Sequence, residues 1–129
     1  MKILANSKQL IVQLEGLEKF WGFRKSLIIP REKITSIKWY DRYENLKGIW
    51  RVCGTGAPGL LFAGYFRANG KWIYMYLKKP HGFFNAWAES ILEIESKDFK
   101  YGKVLLTYSN IQSLRLEEWQ KGSLDNVSD

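Results

Sequence analysis

The sequence predicts a single mainly β domain, a small antiparallel barrel or sandwich of about seven strands with one C-terminal helix. Three observations lead there. Aromatic residues make up 16% of the chain, and with the β-branched residues they favour pleated, half-buried surfaces. Several short runs alternate apolar and polar residues, the period of a strand with one buried face. Two of these runs flank Asn69-Gly70, a dipeptide that readily takes the positive φ angles of a tight hairpin turn.

Gln9 to Leu14 reads as the first strand, with Leu10, Val12 and Leu14 on one face. Leu14, Leu17 and Trp21 then fall three and four apart, with Phe20 beside them, and predict one or two helical turns before Arg24. Lys25 to Ile29 is the next strand, ended by Pro30, which has no N–H to give a ladder. After a tight connection over Glu32 to Ser36, Thr35 to Tyr40 alternates, with Ile37 and Trp39 on one face. From Asp41 to Gly59 the pattern dissolves into charges and then Gly54-Thr55-Gly56-Ala57-Pro58-Gly59, which predicts a long connection.

Leu61 to Arg67 and Lys71 to Lys78 follow as two strands of a hairpin. A two-residue turn sets the register: Ala68 faces Lys71, Phe66 faces Ile73, Gly64 faces Met75 and Phe62 faces Leu77, a largely apolar face expected in the core. The other face pairs Arg67 with Trp72, Tyr65 with Tyr74, Ala63 with Tyr76 and Leu61 with Lys78, mixing rings and cations. Ile91 to Glu95 and Lys103 to Tyr108 are further strands, with Glu93 and Glu95 expected to point outward into solvent. Ser109 or Asn110 caps a closing helix to about Lys121, with Ile111 and Leu114 inward and Gly122 as the stop, although Leu114 and Leu116 also alternate as in a strand. The domain is therefore placed at residues 1–122, with 123–129 a polar, disordered tail.

The order of elements, the Gly54-Thr55-Gly56-Ala57-Pro58-Gly59 stretch leading into Leu60-Leu61-Phe62-Ala63-Gly64-Tyr65-Phe66-Arg67, and the segment Leu27-Ile28-Ile29-Pro30 with Ile34-Thr35-Ser36-Ile37 resemble an uncharacterised family of bacterial pleckstrin-homology-like domains. The resemblance covers roughly residues 8 to 120. It implies a bent, partly open antiparallel β-barrel plugged at one end by the terminal helix, and it carries no established activity or ligand. Phosphoinositide-binding relatives place a basic cluster between their first two strands. Here that connection, Glu15-Gly16-Leu17-Glu18-Lys19-Phe20, is acidic and apolar, which argues against that ligand.

Composition narrows the function classes. The net charge is +7, split between residues 1–80, with 15 Lys/Arg against 5 Asp/Glu, and residues 81–129, with 5 against 8. A basic excess attracts anionic partners and also keeps a protein soluble. The lone Cys53 cannot form an internal bridge, and the amino terminus has no signal-peptide pattern, so a cytoplasmic location is expected. The longest uncharged stretch, Val52 to Phe66, is broken by four glycines and Pro58, so no membrane span is expected.

Catalytic chemistry is not visible. His81 and Cys53 are the only residues of their kinds, so no metal cluster follows from spacing. Cys53 follows Arg51 at two positions but has no base near it in sequence. The glycine-rich turn lacks the Lys-Ser/Thr of a phosphate-binding loop. The reading is a non-enzymatic binding module without a cofactor.

Three partner readings follow. The first is a protein partner or a second copy of the chain, met by the Tyr65, Arg67, Trp72, Tyr74, Tyr76 face, since aromatic residues and arginine dominate interface energetics. The alternative is an anionic partner, single-stranded nucleic acid, with Arg67, Lys71 and Lys78 on phosphates and Trp72 and Tyr74 stacked on bases, supplemented by Arg24, Lys25, Arg31, Lys33 and Lys38. An acidic membrane surface is a third, with Phe83, Phe84 and Trp87 as a wedge. The aromatic face serves these readings only if neither the terminal helix nor another sheet covers it.

Overall fold

A computed structural model describes residues 2–13, 26–44, 50–57, 61–68, 70–78 and 87–128. Among them, nine strands form two sheets. The first is a three-stranded antiparallel sheet of β1 (Lys2–Ala5), β2 (Gln9–Gln13) and β3 (Ser26–Pro30). Alternation puts Ile3, Ala5, Leu10, Val12, Leu27 and Ile29 on the inner face, all buried. Strand β1 is too short a run to announce itself in sequence; its register against β2, Ile3 opposite Val12, defines it. Asn6 shapes the turn between them, its Oδ1 accepting from the N–H groups of Lys8 at 2.8 Å and Gln9 at 3.0 Å.

A 3-10 turn, Arg31–Lys33, leads into the second sheet. Its strands are β4 (Ile34–Tyr43), β5 (Trp50–Ala57), β6 (Leu61–Ala68), β7 (Lys71–Lys78), β8 (Ala88–Ser96) and β9 (Lys103–Thr107), in the order β4-β8-β9-β7-β6-β5. Strand β9 pairs antiparallel with β8 and parallel with β7. The sheets do not close into a barrel.

Two differences from the sequence reading raise the strand count from about seven. Besides β1, the expected connection from Asp41 to Gly59 contains the end of β4 and the whole of β5, so Gly54 and Gly56 lie in a strand. Glycine offers no side-chain alternation to read, whereas the ladder to β6, from Trp50 opposite Arg67 to Ala57 opposite Leu61, supplies the partners of an edge strand. The expected helical turns from Leu14 to Arg24, Lys25, His81, and the Phe83 and Phe84 pair lie outside the described residues.

The β6–β7 hairpin has the expected register at all eight pairs, from Ala68 opposite Lys71 to Leu61 opposite Lys78. Gly70 in its turn has φ +76°, which an L side chain adopts only at a cost. Strand β7 is buried on both faces. Tyr74 and Tyr76 look into the core between the sheets, with Leu92, Ile94, Val104 and Leu106, while Ile73, Met75 and Leu77 join Phe66, Ile91 and Leu105 on the other side.

Helix α1 (Asn110–Gln120) is capped by Ser109, whose Oγ accepts from Gln112 N–H at 3.3 Å. Gly122 follows with φ +91°. The inward stripe is Ser113, Leu116 and Trp119, not Ile111 and Leu114, which are 75% and 49% exposed. Both stripes have helical spacing, and the one carrying the large Trp119 ring is the one that gains most from burial. Trp119 Nε1 donates to Asn6 O at 2.9 Å, and Arg31 Nη2 donates to Trp119 O at 2.8 Å, tying the helix end to the first sheet. The tail is anchored too: Val127 exchanges two hydrogen bonds with Ala5 and is buried, so the chain expected to be disordered from residue 123 is held by the fold through Val127. No helix among the described residues is long and apolar enough to cross a membrane.

Candidate functional site

The hairpin register sets Tyr65, Arg67, Trp72, Tyr74, Tyr76 and Lys78 along one face of β6 and β7, as the sequence predicts. Packing then divides them. Tyr74 is 0% and Tyr76 3% exposed; the first sheet and α1 cover this part of the face, so these two rings belong to the core and offer no contact surface. Tyr65 is half-buried and stacks on Tyr101, with ring centroids 5.7 Å apart and planes 17° from parallel. Arg67, Trp72 and Lys78 are exposed. Lys78 stands at the far end of β7, where its backbone N–H donates to Thr107 Oγ1. Arg67 and Trp72 stay together, the guanidinium carbon 5.0 Å from the ring centroid.

Topology adds partners to that pair that spacing could not reveal. Six strand ends meet at one edge of the second sheet, five of them in a row that concerns the pair: the start of β4, the end of β8, the starts of β9 and β7, and the end of β6, with the start of β5 beyond. Backbone bonds join them in sequence. Lys97 N–H donates to Lys33 O at 2.8 Å, Ser96 N–H to Gly102 O at 3.0 Å, and Gly102 N–H to Trp72 O at 2.9 Å. The turn between β8 and β9 is also held from inside by rings, Phe99 meeting Tyr101 edge-on at 6.1 Å and Tyr101 packing on Tyr74 at 5.6 Å. Lys100 Nζ lies 5.6 Å from the Tyr101 centroid.

The resulting rim carries Lys33, Lys97, Lys100, Lys71 and Arg67, with Asp98 and, beside Lys33 in the 3-10 turn, Glu32 as acidic residues. Five cations against two carboxylates leave +3. Lys103, opposite Glu95 in register, stands 3.6 Å from Glu93 instead, so Lys103, Glu93 and Glu95 together add −1. Described residues at the opposite strand ends include Arg42 and Lys78 against Asp41, Glu44 and Glu89, a balance of −1. Among the described residues, charge is therefore polarised along the strand direction. With strands about 4.8 Å apart, the five ends span roughly 19 Å.

A second cluster escaped the sequence reading. Glu93, expected to be solvated beside Glu95, is 3% exposed. Tyr43 OH donates to its Oε2 at 2.6 Å, while Lys103 Nζ stands 3.6 Å from the same oxygen and 3.4 Å from the phenol. Burial, then the hydrogen bond to Glu93, push the Tyr43 phenol well above its ordinary range. Tyr40, edge-on to Tyr43 at 5.2 Å, is raised by burial and by the charges of Glu93 and Glu95. The Tyr43 phenol thus satisfies one oxygen of the buried Glu93 side chain.

Of the expected lipid wedge, only Trp87 is described; it is half-buried, with the Arg42 guanidinium carbon 4.0 Å from its ring centroid. No family model, no curated protein and no solved structure matches this chain.

Proposed function

We propose that this chain is a non-catalytic binding module that takes an anionic partner on the strand-end rim around Arg67, Trp72, Lys71 and Lys100. The observation that carries this reading is the clustering of five cations with two carboxylates in the turns at one edge of the sheet, turns that hydrogen bonds fix. Burial of Tyr74 and Tyr76 takes away the flat aromatic face that a protein partner was expected to meet and leaves a surface dominated by positive charge. The resemblance to pleckstrin-homology-like domains supports a binding role through two packed sheets and a terminal helix; the parallel β7–β9 pair and the open sheets depart from that pattern. A cytoplasmic location belongs to the same proposal, resting on the lone Cys53. Heparin chromatography tests it: the parent should elute at clearly higher salt than Lys71→Glu/Lys100→Glu, and co-elution would count against the rim.

A second reading, contact with a protein or a second copy of the chain, is favoured by a different observation. Leu4, Ile11 and Ile28 stand in register across the outer face of the first sheet, and Ile28 is 47% exposed. Sedimentation of the parent against Ile28→Lys tests that reading; a concentration-independent monomer that captures no partner ends it.

A further inference from the structure

The rim is linear, and its aromatic residue sits within the run of cations. Along it, Lys33 and Lys97 are joined by a backbone bond, Lys100 follows within the same turn, Lys71 and Trp72 flank Gly102, and Arg67 closes the line opposite Trp72. The spacing at Gly102 is close, a Cβ there falling 3.3 Å from the Lys71 side chain. Trp72 is 39% exposed and has a guanidinium near its ring. A line of charges about 19 Å long with a stacking ring inside it suits a flexible polyanion whose charges repeat along a backbone and whose side groups are flat. An acidic membrane would need several protruding apolar side chains beside the cations, and among the described side chains of the rim Trp72 is the one exposed ring. An acidic peptide would use the cations and leave the ring without a purpose.

We infer that the rim formed by Lys33, Lys97, Lys100, Lys71 and Arg67 binds single-stranded nucleic acid, its phosphates following the cations and one base stacking on Trp72. This rests on the anionic-partner reading above and narrows it to one class of polymer. Four or so nucleotides cover such a line, the lower end of the site sizes seen where cationic grooves and aromatic rings hold single strands. With about four phosphates neutralised, the logarithm of affinity should fall with the logarithm of salt with a slope of about −2.8.

The test is fluorescence anisotropy of a short labelled oligothymidylate at low and moderate salt, with the same sequence as a duplex, an oligoglutamate peptide and phosphatidylserine vesicles as competitors. The expected result is oligothymidylate binding that weakens steeply with salt and resists displacement by the peptide and the vesicles. Lys97→Glu/Lys100→Glu should abolish it, and Arg115→Glu, an exposed cation on α1 away from the rim, should leave it nearly intact. Trp72→Ala should weaken binding about five- to hundred-fold with an unchanged salt slope. Thermal melts establish that each variant folds, and Trp72→Phe, which keeps a ring, should recover most of the loss. Equal displacement by peptide or vesicles, or indifference to Trp72→Ala, would overturn the nucleic-acid assignment while leaving the anionic-partner reading standing. Absence of binding to every one of these polyanions at low salt would sink both.

Discussion

Tyr43 and Glu93, fifty positions apart in sequence, meet through a 2.6 Å hydrogen bond at the buried side of the β4–β8 pair. Removing the phenol hydroxyl takes a 2.6 Å hydrogen bond from the buried Glu93 side chain, leaving Lys103 at 3.6 Å and the Tyr40 phenol as its polar neighbours in this cluster. Tyr43→Phe should therefore destabilise the protein by about 1–3 kcal/mol, measured by urea unfolding at neutral pH.

The same pair sets an alkaline limit. The folded protein holds the Tyr43 proton more tightly than the unfolded chain, whose tyrosines titrate near 10.0. The resulting stability is complete below that pH and is lost as pH rises beyond it. The parent should lose more stability than Tyr43→Phe between about pH 9 and pH 11, read from urea midpoints. Equal losses would show that Tyr43 is not the group responsible.

Trp119 and Trp72 should behave oppositely towards acrylamide. Trp119 is 0% exposed and hydrogen-bonded to Asn6, whereas Trp72 is exposed. Replacing Trp72 with Phe should delete quenchable emission, and replacing Trp119 with Phe should delete emission that resists quenching. Trp119→Ala should in addition cost about 3–5 kcal/mol, seen as a fall in the unfolding midpoint.

Gly70 tests the hairpin turn. Its φ is +76°, and a Cβ at this position would meet nothing within 4 Å, so a substitution there is strained by backbone conformation alone. Gly70→Ala should cost about 1–2 kcal/mol, and Gly70→Asn less, because asparagine tolerates this region better. Thermal unfolding of the two variants gives the comparison.

Local signals were readable in the sequence. Asn69-Gly70 and the alternation on either side specify all eight pairs of the β6–β7 hairpin, and Ser109 and Gly122 mark the helix ends, because each depends on neighbours in the chain. Features decided by distant partners were not. Strands β1 and β5 exist through ladders to β2 and β6. The inward face of α1 is chosen by the first sheet, which receives Leu116 and Trp119 in place of Ile111 and Leu114. Glu93 is buried because β4 brings Tyr43 to it. The candidate site divides in the same way: Arg67 and Trp72 are paired by the hairpin, whereas Lys33, Lys97 and Lys100 join them through the order of strands in the sheet.

Strand β9 occupies a slot between β8 and β7, both of which precede it in the chain. Until it is inserted, the second sheet consists of two separate pieces, β4 with β8 and β5-β6 with β7, each presenting a raw edge of backbone donors and acceptors. Strand β9 is thus what joins the halves. Truncation before Lys103 should yield an aggregating fragment and not a smaller domain, because what it lacks is the centre of the sheet.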